Sequence, residues 1–234
     1  MRAIRSFVGR GMAAAGWRLT GFADRLRAET PPSAKTLVGD RVLEWSWCLA
    51  HLPASPGLVL DFGAGNGILS AGAVLGGHRV VAVDLEACAF EFALDRVDYR
   101  HGDFNELEFE PRSFDYVLNC STIEHVGLAG RYSGSHEETD ADLRAMKKLA
   151  SLLKPGGTMA LTAPVGRDGV FPPFHRVYGS ERLPRLLSPF AIVTERYMAK
   201  QNGPRWQEVD REIALAEEGS ASYYALGLFR LVPA

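Results

Sequence analysis

The sequence predicts an α/β fold: a doubly wound, mostly parallel, seven-stranded sheet whose last strand runs antiparallel. Three observations carry this. Apolar runs of strand length alternate with helical patterns over most of the chain, the order that calls for a parallel sheet covered by helices. Val59–Gly67, Val-Leu-Asp-Phe-Gly-Ala-Gly-Asn-Gly, reads as a buried strand ending in a Cβ-poor turn that opens a helix. Finally, the strand patterns over 191–199 and 222–231 are separated by a helical pattern only within 206–217, which suits an antiparallel ending.

Length and composition bound the rest. The chain has 234 residues, is 47% hydrophobic and carries a net charge of −2. That suits one globular domain with a sizeable core and argues against nucleic acid as a partner, since such affinity rests on a strongly positive surface. Cys48, Cys88 and Cys120 are far apart and show no metal or redox spacing, as expected of buried thiols in a reducing, cytoplasmic compartment. No run of about 18 apolar residues is present, so no membrane-spanning helix is expected.

Residues 1–30 stand apart as a basic, amphipathic helical extension, with 31–234 as the main domain. Ile4, Val8, Met12, Ala15, Leu19, Phe22 and Leu26 recur at helical spacing, and six arginines face two acids. Such a helix can lie peripherally on an anionic membrane, or pack on its own domain or a partner subunit. Pro31-Pro32 marks the boundary. An apolar stripe of Val38, Val42, Trp45, Leu49 and Leu52 predicts a helix over 34–51. After the Val59–Gly67 unit come a small-residue helix, a strand at 80–83 ending at Asp84, a helix over 87–95, and strands at 97–100 and 114–119. Ser135 and Glu138 form a capping-box pattern ahead of a helix. Lys154-Pro155-Gly156-Gly157 reads as a stop and turn before a strand at 158–163. Residues 164–178 read as a loop, and 183–187 as a short helix.

The glycine turn indicates its ligand. Glycine tolerates positive φ and lets a ligand rest on the backbone. A dinucleotide site wants glycines at i, i+2 and i+5; from Gly63 the third position holds Ile68. The pattern here is Asp-x-Gly-x-Gly-x-Gly from Asp61, with an acid before the turn that would repel a pyrophosphate and suit a positively charged ligand.

These residues resemble the class I S-adenosylmethionine-dependent methyltransferases, small-molecule and sugar-pathway type, over about Leu58 to Phe190. Leu60–Gly67 is similar to the family's first motif, Val83-Asp84 to the acid after the second strand, and Gly102-Asp103-Phe104 to the third-strand site. Phe114–Val117 is similar to the fourth-strand motif, and Leu153–Gly157 to the turn before the fifth strand. The resemblance implies a Rossmann-like methyltransferase fold and S-adenosyl-L-methionine as cofactor. It places cofactor contacts at Asp61, Gly63, Ala64, Gly65, Asn66, Gly67, Asp84, Leu85, Asp103, Phe104, Asn119 and Cys120. The acid of the second strand can hold both ribose hydroxyls, because an ionised carboxylate only accepts hydrogen bonds.

Acceptor chemistry is expected on loops at the C-terminal edge of the sheet. One is Asn119–Gly127, whose Glu124-His125 pair resembles a recurrent feature of small-molecule methyltransferases. His125 is the candidate general base, with Glu124 orienting it; alternatively the pair closes over the cofactor. The other is 164–178, where His175, Arg176 and Tyr178 lie among Phe171, Pro172, Pro173 and Phe174. His175 is the third candidate catalytic residue. Glu124, His125 and His175 also resemble part of the metal set of RNA-end 2′-O-methyltransferases, but Ser121 replaces an acid, and no metal is expected. The leading reading is methyl transfer to a hydroxyl or amine of a small-molecule or glycan-type acceptor. Alternatives are an RNA or protein methyltransferase, or a non-catalytic, membrane-peripheral cofactor-binding protein.

Overall fold

The glycine turn leaves a strand buried almost throughout, β1 (Leu58–Phe62), at the middle of the main sheet. The computed structural model describes residues 35–87, 95–130, 132 and 137–234. The extension at 1–30, most of the helix expected over 87–95, and the capping residue Ser135 lie outside them.

In chain order the other strands are β2 (Arg79–Asp84), β3 (Val97–His101), β4 (Phe114–Cys120), β5 (Leu153–Val165), β6 (Gly169–Phe171), β7 (His175–Val177), β8 (Phe190–Ala199), β9 (Gln207–Val209) and β10 (Ala225–Pro233). Helices are α1 (Asp40–Ala50), α2 (Ile68–Leu75), α3 (Ala141–Leu152), α4 (Arg182–Leu187) and α5 (Arg211–Ala216), with a 3₁₀ turn at Ile123–His125. The main sheet has the order β3-β2-β1-β4-β5-β10-β8-β9. β1 pairs in parallel with β2 and β4, β2 with β3, and β4 with β5, whereas β10 runs antiparallel to both β5 and β8. The doubly wound, mostly parallel sheet and its antiparallel last strand are therefore as the sequence predicts.

Alternate residues of each strand feed opposite faces. Leu60, Phe62, Val81, Val83 and Val117 pack with Met146 and Leu149 of α3 and Leu183 of α4. Val59, Val80, Ala82, Tyr116 and Leu118 pack with Trp47 and Cys48 of α1 and Leu69 and Ala73 of α2. Burial on both faces is why these strands read as continuous apolar runs.

Four expectations change. The main sheet gains an eighth strand, because Gln207–Val209 pairs antiparallel with Tyr197–Ala199 and splits the helical pattern of 206–217. The loop expected at 164–178 contains the hairpin β6–β7. Lys154–Gly157 is an irregularity inside β5 rather than a turn before it: Leu153 pairs with Phe114 and Thr158 with Tyr116, and Lys154 Nζ reaches both Asp115 carboxylate oxygens at 2.8 Å. Finally, the expected stripe of α1 holds only in part: Trp45, Leu49 and Leu52 pack on the core, but the helix is rotated so that Glu44, Trp47 and Cys48 are its buried positions, and Val42, like Val38 ahead of the helix, is exposed, at 67% and 78%. Trp47 Nε1 donates to the Phe229 carbonyl at 3.2 Å, and the Glu44 carboxylate is tied to the ends of β4 and β5, which fixes that rotation.

Candidate active site

The strand order reverses between β1 and β4, and the crevice beyond the C-terminal ends at such a switch point is where open α/β sheets bind ligands. A cavity of about 980 Å³ opens there, at the upper end of the size range of small-molecule sites.

The glycine turn forms its floor. The Gly63 and Ala64 amides donate to the Val83 carbonyl at 2.8 and 3.0 Å, and the Gly65 amide donates to Asp84 Oδ2 at 2.8 Å. Gly63 has φ 77°, and a Cβ there would lie 2.2 Å from Thr122 Oγ1. Gly65 has φ 53°, and a Cβ there would meet nothing within 4 Å. One glycine is needed for packing; the other leaves open space beside the cavity.

Of the residues the resemblance implicates, Gly63, Ala64, Gly65, Asn66, Asp84, Leu85, Asp103, Phe104, Cys120 and His125 line this cavity, and Asp61, Gly67, Asn119, Glu124 and His175 do not. Asp61 is buried behind the turn, where its Oδ2 accepts from Ser70 Oγ of α2 at 2.6 Å. Burial pushes its pKa up to about 6. Gly67, at φ 77°, caps α2. Asn119 is fully buried against Met146, with Nδ2 3.8 Å from Sδ.

The two carboxylates on the cavity wall are braced by their own backbone. Asp84 Oδ1 accepts from the Glu86 amide at 2.9 Å, and Asp103 Oδ1 from the Asn105 amide at 2.8 Å. Phe104 packs on Phe62 with ring centroids 4.6 Å apart. This end of the cavity is acidic, with Glu86 and Glu106 also in its wall.

The opposite end is built by the segment after β4. Ser121 has φ 45°, unusual for a residue with a side chain. It is held there from three sides. Its amide donates to the Thr162 carbonyl and to Thr162 Oγ1, each at 3.1 Å, and its Oγ donates to Glu44 Oε1 in a short hydrogen bond. Glu44, fully buried, also accepts from Thr162 Oγ1 at 3.0 Å and from Arg41 Nη1 at 3.0 Å. Arg41 and Trp45 of α1 line the cavity with Ser121, Thr122, Tyr132, Glu138 and Arg144. Ser121 and Thr122 belong to the expected acceptor segment Asn119–Gly127; Arg41, Trp45 and Arg144 were not expected from the motifs. For Arg41 and Glu44 the signal was their i, i+3 spacing on a helix.

His125 Nδ1 donates to the Phe174 carbonyl at 2.6 Å. A carbonyl can only accept, so in the neutral ring Nε2 carries the lone pair. Nε2 lies 3.7 Å from Glu124 Oε1. Glu124 is 1% exposed, and its Oε2 has no hydrogen-bond partner among the described residues. Burial, reinforced by the neighbouring Glu44, pushes the Glu124 pKa up to about 8. Burial also raises Glu44, opposed by Arg41 and the Ser121 and Thr162 hydroxyls.

The second expected acceptor loop has another job. His175 is buried away from the cavity, with Nε2 3.0 Å from the Ser220 carbonyl and its ring against Tyr224. Buried Arg176 donates to the Val126 carbonyl at 2.5 Å, to that of Gly127 at 3.4 Å and to that of Glu138 at 3.3 Å. Tyr178, fully buried, donates its OH to Asp142 Oδ2 at 3.1 Å. The hairpin braces the segment carrying His125 instead of presenting its polar groups to an acceptor. Among the described residues no three His, Cys, Asp or Glu side chains are placed to hold a metal ion, so Glu124, His125 and His175 do not form a ligand set.

Comparison with known proteins fits this architecture. The family described as "Caenorhabditis protein of unknown function, DUF268" matches residues 91–217, more than half of the chain. A ubiquinone biosynthesis O-methyltransferase of Xanthomonas campestris pv. campestris is 35% identical over 143 residues, covering 57% of this chain and 54% of that one. A probable S-adenosylmethionine-dependent methyltransferase of Mycolicibacterium smegmatis is 27% identical over 203 residues, covering 76% and 74%. The chain spans about half the length of the curated relatives it matches at 31% and 35% identity. Among solved structures, the Burkholderia thailandensis 1,6-didemethyltoxoflavin-N1-methyltransferase, crystallised with S-adenosylhomocysteine, superposes with a TM-score of 0.54 at 20% identity, covering 96% of this chain and 89% of that one. The chain belongs to the DUF268 family and has the Rossmann-like fold of the class I S-adenosylmethionine-dependent methyltransferases.

Proposed function

We propose that the protein transfers a methyl group from S-adenosylmethionine to a hydroxyl or amine of a small-molecule or glycan-type acceptor. The observation that carries this is the joining of two unlike ends in one cavity: a glycine-floored, acidic end, and an end holding His125. The acidic end fits the cofactor by the chemistry of its donors and acceptors. Gly65 leaves open space where a side chain would intrude, which suits the methionine part. Asp84 offers an acceptor-only carboxylate for ribose hydroxyls. Asp103 offers an acceptor to the adenine amino group, and Phe104 an apolar face for the ring.

When bound, the cofactor supplies an electrophilic methyl group on a sulfonium. The chain's own residues hold the acceptor in line and take up its proton. His125 Nε2 is the base in this reading, because the bond from Nδ1 to Phe174 fixes the tautomer and leaves the lone pair on Nε2. Buried Glu124 stands beside that nitrogen, its Oε1 3.7 Å from Nε2. The ubiquinone and 1,6-didemethyltoxoflavin named for two of the relatives support a small acceptor, and the acidic wall disfavours a polyanionic one. No described helix is long and apolar enough to cross a membrane.

The test follows methyl-labelled S-adenosylmethionine into a panel of hydroxyl- and amine-bearing small molecules and sugars. Transfer is expected to at least one, reduced about 100-fold or more by His125→Ala with S-adenosylhomocysteine affinity unchanged. Label appearing only in RNA or protein would contradict the acceptor class. Transfer undiminished in His125→Ala would remove His125 as the base.

A further inference from the structure

Two thiols stand together where α1 meets the end of β4, and the proposed methyl transfer uses neither as a reacting group. Cys48 and Cys120 are both free, the first fully buried and the second half-buried. Cys120, the last residue of β4, lines the cavity. Cys48 lies behind it, in the core between α1, α2 and one face of the sheet. The Cys48 thiol donates a hydrogen bond to the Cys120 sulfur.

The docking of α1 explains the pairing. Cys48 follows Glu44 by four residues, about one helical turn, so the two project from one face. Glu44 is tied to Ser121 Oγ and Thr162 Oγ1, and Ser121 follows Cys120 in the chain. Tyr116 OH, from the same strand, donates to the Cys48 carbonyl at 3.5 Å. Two thiols held against each other in this way react as an intramolecular pair, without the entropy cost of an encounter.

The two thiols have unlike surroundings. Reactive cysteines are partly exposed and stand beside positive charge. Cys120 opens on the cavity and lies within electrostatic reach of the Arg41 guanidinium. Cys48 has no such outlet. Its hydrogen bond to Cys120 and its burial keep the thiol protonated well above the ordinary range, and the carboxylates of Glu44 and Asp61 act in the same sense. An oxidant entering the cavity therefore meets Cys120 first.

We infer that Cys120 and Cys48 form an oxidisable thiol pair, in which a hydroperoxide oxidises Cys120 and Cys48 then closes a disulfide that constricts the cavity. In the first step the Cys120 sulfur attacks the peroxide. The O–O bond breaks, an S–O bond forms, and the hydroperoxide is reduced to an alcohol or water while Cys120 becomes a sulfenic acid. In the second step the Cys48 sulfur attacks the sulfenic sulfur. The S–S bond forms, the S–O bond breaks, and the hydroxyl leaves with the Cys48 proton as water. The sulfurs move from hydrogen-bond contact to bonding distance, which draws the end of β4 toward α1 just ahead of Thr122, the residue against which Gly63 is packed. The effect on cofactor binding rests on the methyl-transfer reading; the disulfide itself does not.

Hydrogen peroxide applied to the full chain tests this, with wild type, Cys88→Ser, Cys48→Ser and Cys120→Ser compared and thermal unfolding confirming that each is folded. Cys88 lies outside the described residues, and its variant excludes it as a partner. Wild type and Cys88→Ser are expected to become two hydrogens lighter by intact mass and to yield a linked Cys48–Cys120 peptide that dithiothreitol separates. Cys48→Ser is expected to stop at a Cys120 sulfenic acid, captured by dimedone, and Cys120→Ser to give neither product. Calorimetry is expected to show S-adenosylhomocysteine binding weakened about 10-fold or more by oxidation and regained on reduction, since a displacement of about 1 Å spoils a fitted site. Absence of the linked peptide in Cys88→Ser, or dimedone capture on Cys48 instead of Cys120, overturns the pair, and the peptide map decides this even where a core variant fails to fold. A linked peptide with unchanged affinity overturns the constriction. If the reduced wild type does not bind S-adenosylhomocysteine, the methyl-transfer reading fails separately, and the linked peptide alone decides the pair.

Discussion

Gly63 and Gly65, two positions apart in one turn, separate packing from ligand space. An alanine at 63 would drive its Cβ into the Thr122 side chain with the backbone in the left-handed region. Overpacking of that kind costs about 1–3 kcal/mol and the backbone about 1 kcal/mol more, so Gly63→Ala is expected to lower the melting temperature by several degrees. At 65 nothing stands within 4 Å. Gly65→Ala is expected to lose little more than the backbone term and to weaken S-adenosylhomocysteine binding instead. Equal losses of stability in the two variants would contradict this division. Glu124 gives a pH signature. Its folded pKa, about 8 against an ordinary 4.5, means the folded state holds its proton more tightly than the unfolded chain. Its stabilising contribution is full below about pH 4.5 and is lost as pH rises through about 8; Asp61, raised from 3.8 to about 6, acts in the same sense at lower pH. Calorimetric melting should therefore fall between about pH 4.5 and 8, and Glu124→Gln should flatten that fall. An unchanged slope in the variant would show that Glu124 does not titrate there. At this scale the sequence was legible where a residue's place follows from a local motif, as at Gly63, Asp84 and Phe104, which line the cavity. It was not legible where one side chain answers a distant one: Glu44 meets Ser121 and Thr162 across 77 and 118 residues, and no local spacing reports that.

Elements show the same split. β1, β2 and β4 announce themselves because both faces are buried and most of their positions are apolar. Helix α1 follows its expected stripe only in part: Trp45, Leu49 and Leu52 pack on the core, but a polar tether that hydrophobic periodicity does not weigh turns Glu44 inward through hydrogen bonds, and Val42 remains exposed. The β6–β7 hairpin was hidden because three-residue strands give too short a pattern to read. Its Arg176, an acceptor-loop candidate by composition, is instead a clamp on the Val126, Gly127 and Glu138 carbonyls. Truncating it removes the charged donor from three carbonyls, each such hydrogen bond worth about 1.5–3 kcal/mol. Arg176→Ala is accordingly expected to lower the melting temperature by several degrees and to depress turnover through the displaced His125 segment. A variant with wild-type melting and turnover would show that the clamp is dispensable.

For the whole molecule, the sheet order decides where chemistry can happen. The parallel pairs around β1 send the ends of β1, β2 and β4 to one edge, and that edge gathers the glycine turn, Asp84 and His125 although they lie far apart in sequence. The class of fold and the glycine-floored, acidic end were readable because their motifs recur in register along the chain. The end holding His125 was less so, because it is assembled from α1, the segment after β4 and a hairpin that only touch once folded. The central claim is that the glycine-floored, acidic end holds the nucleoside cofactor. Titration calorimetry of S-adenosylhomocysteine into the full chain and into Asp84→Ala tests it most directly. The account predicts one site in the wild type and at least 10-fold weaker binding in the variant; no binding to the wild type, or equal affinity in both, would contradict it.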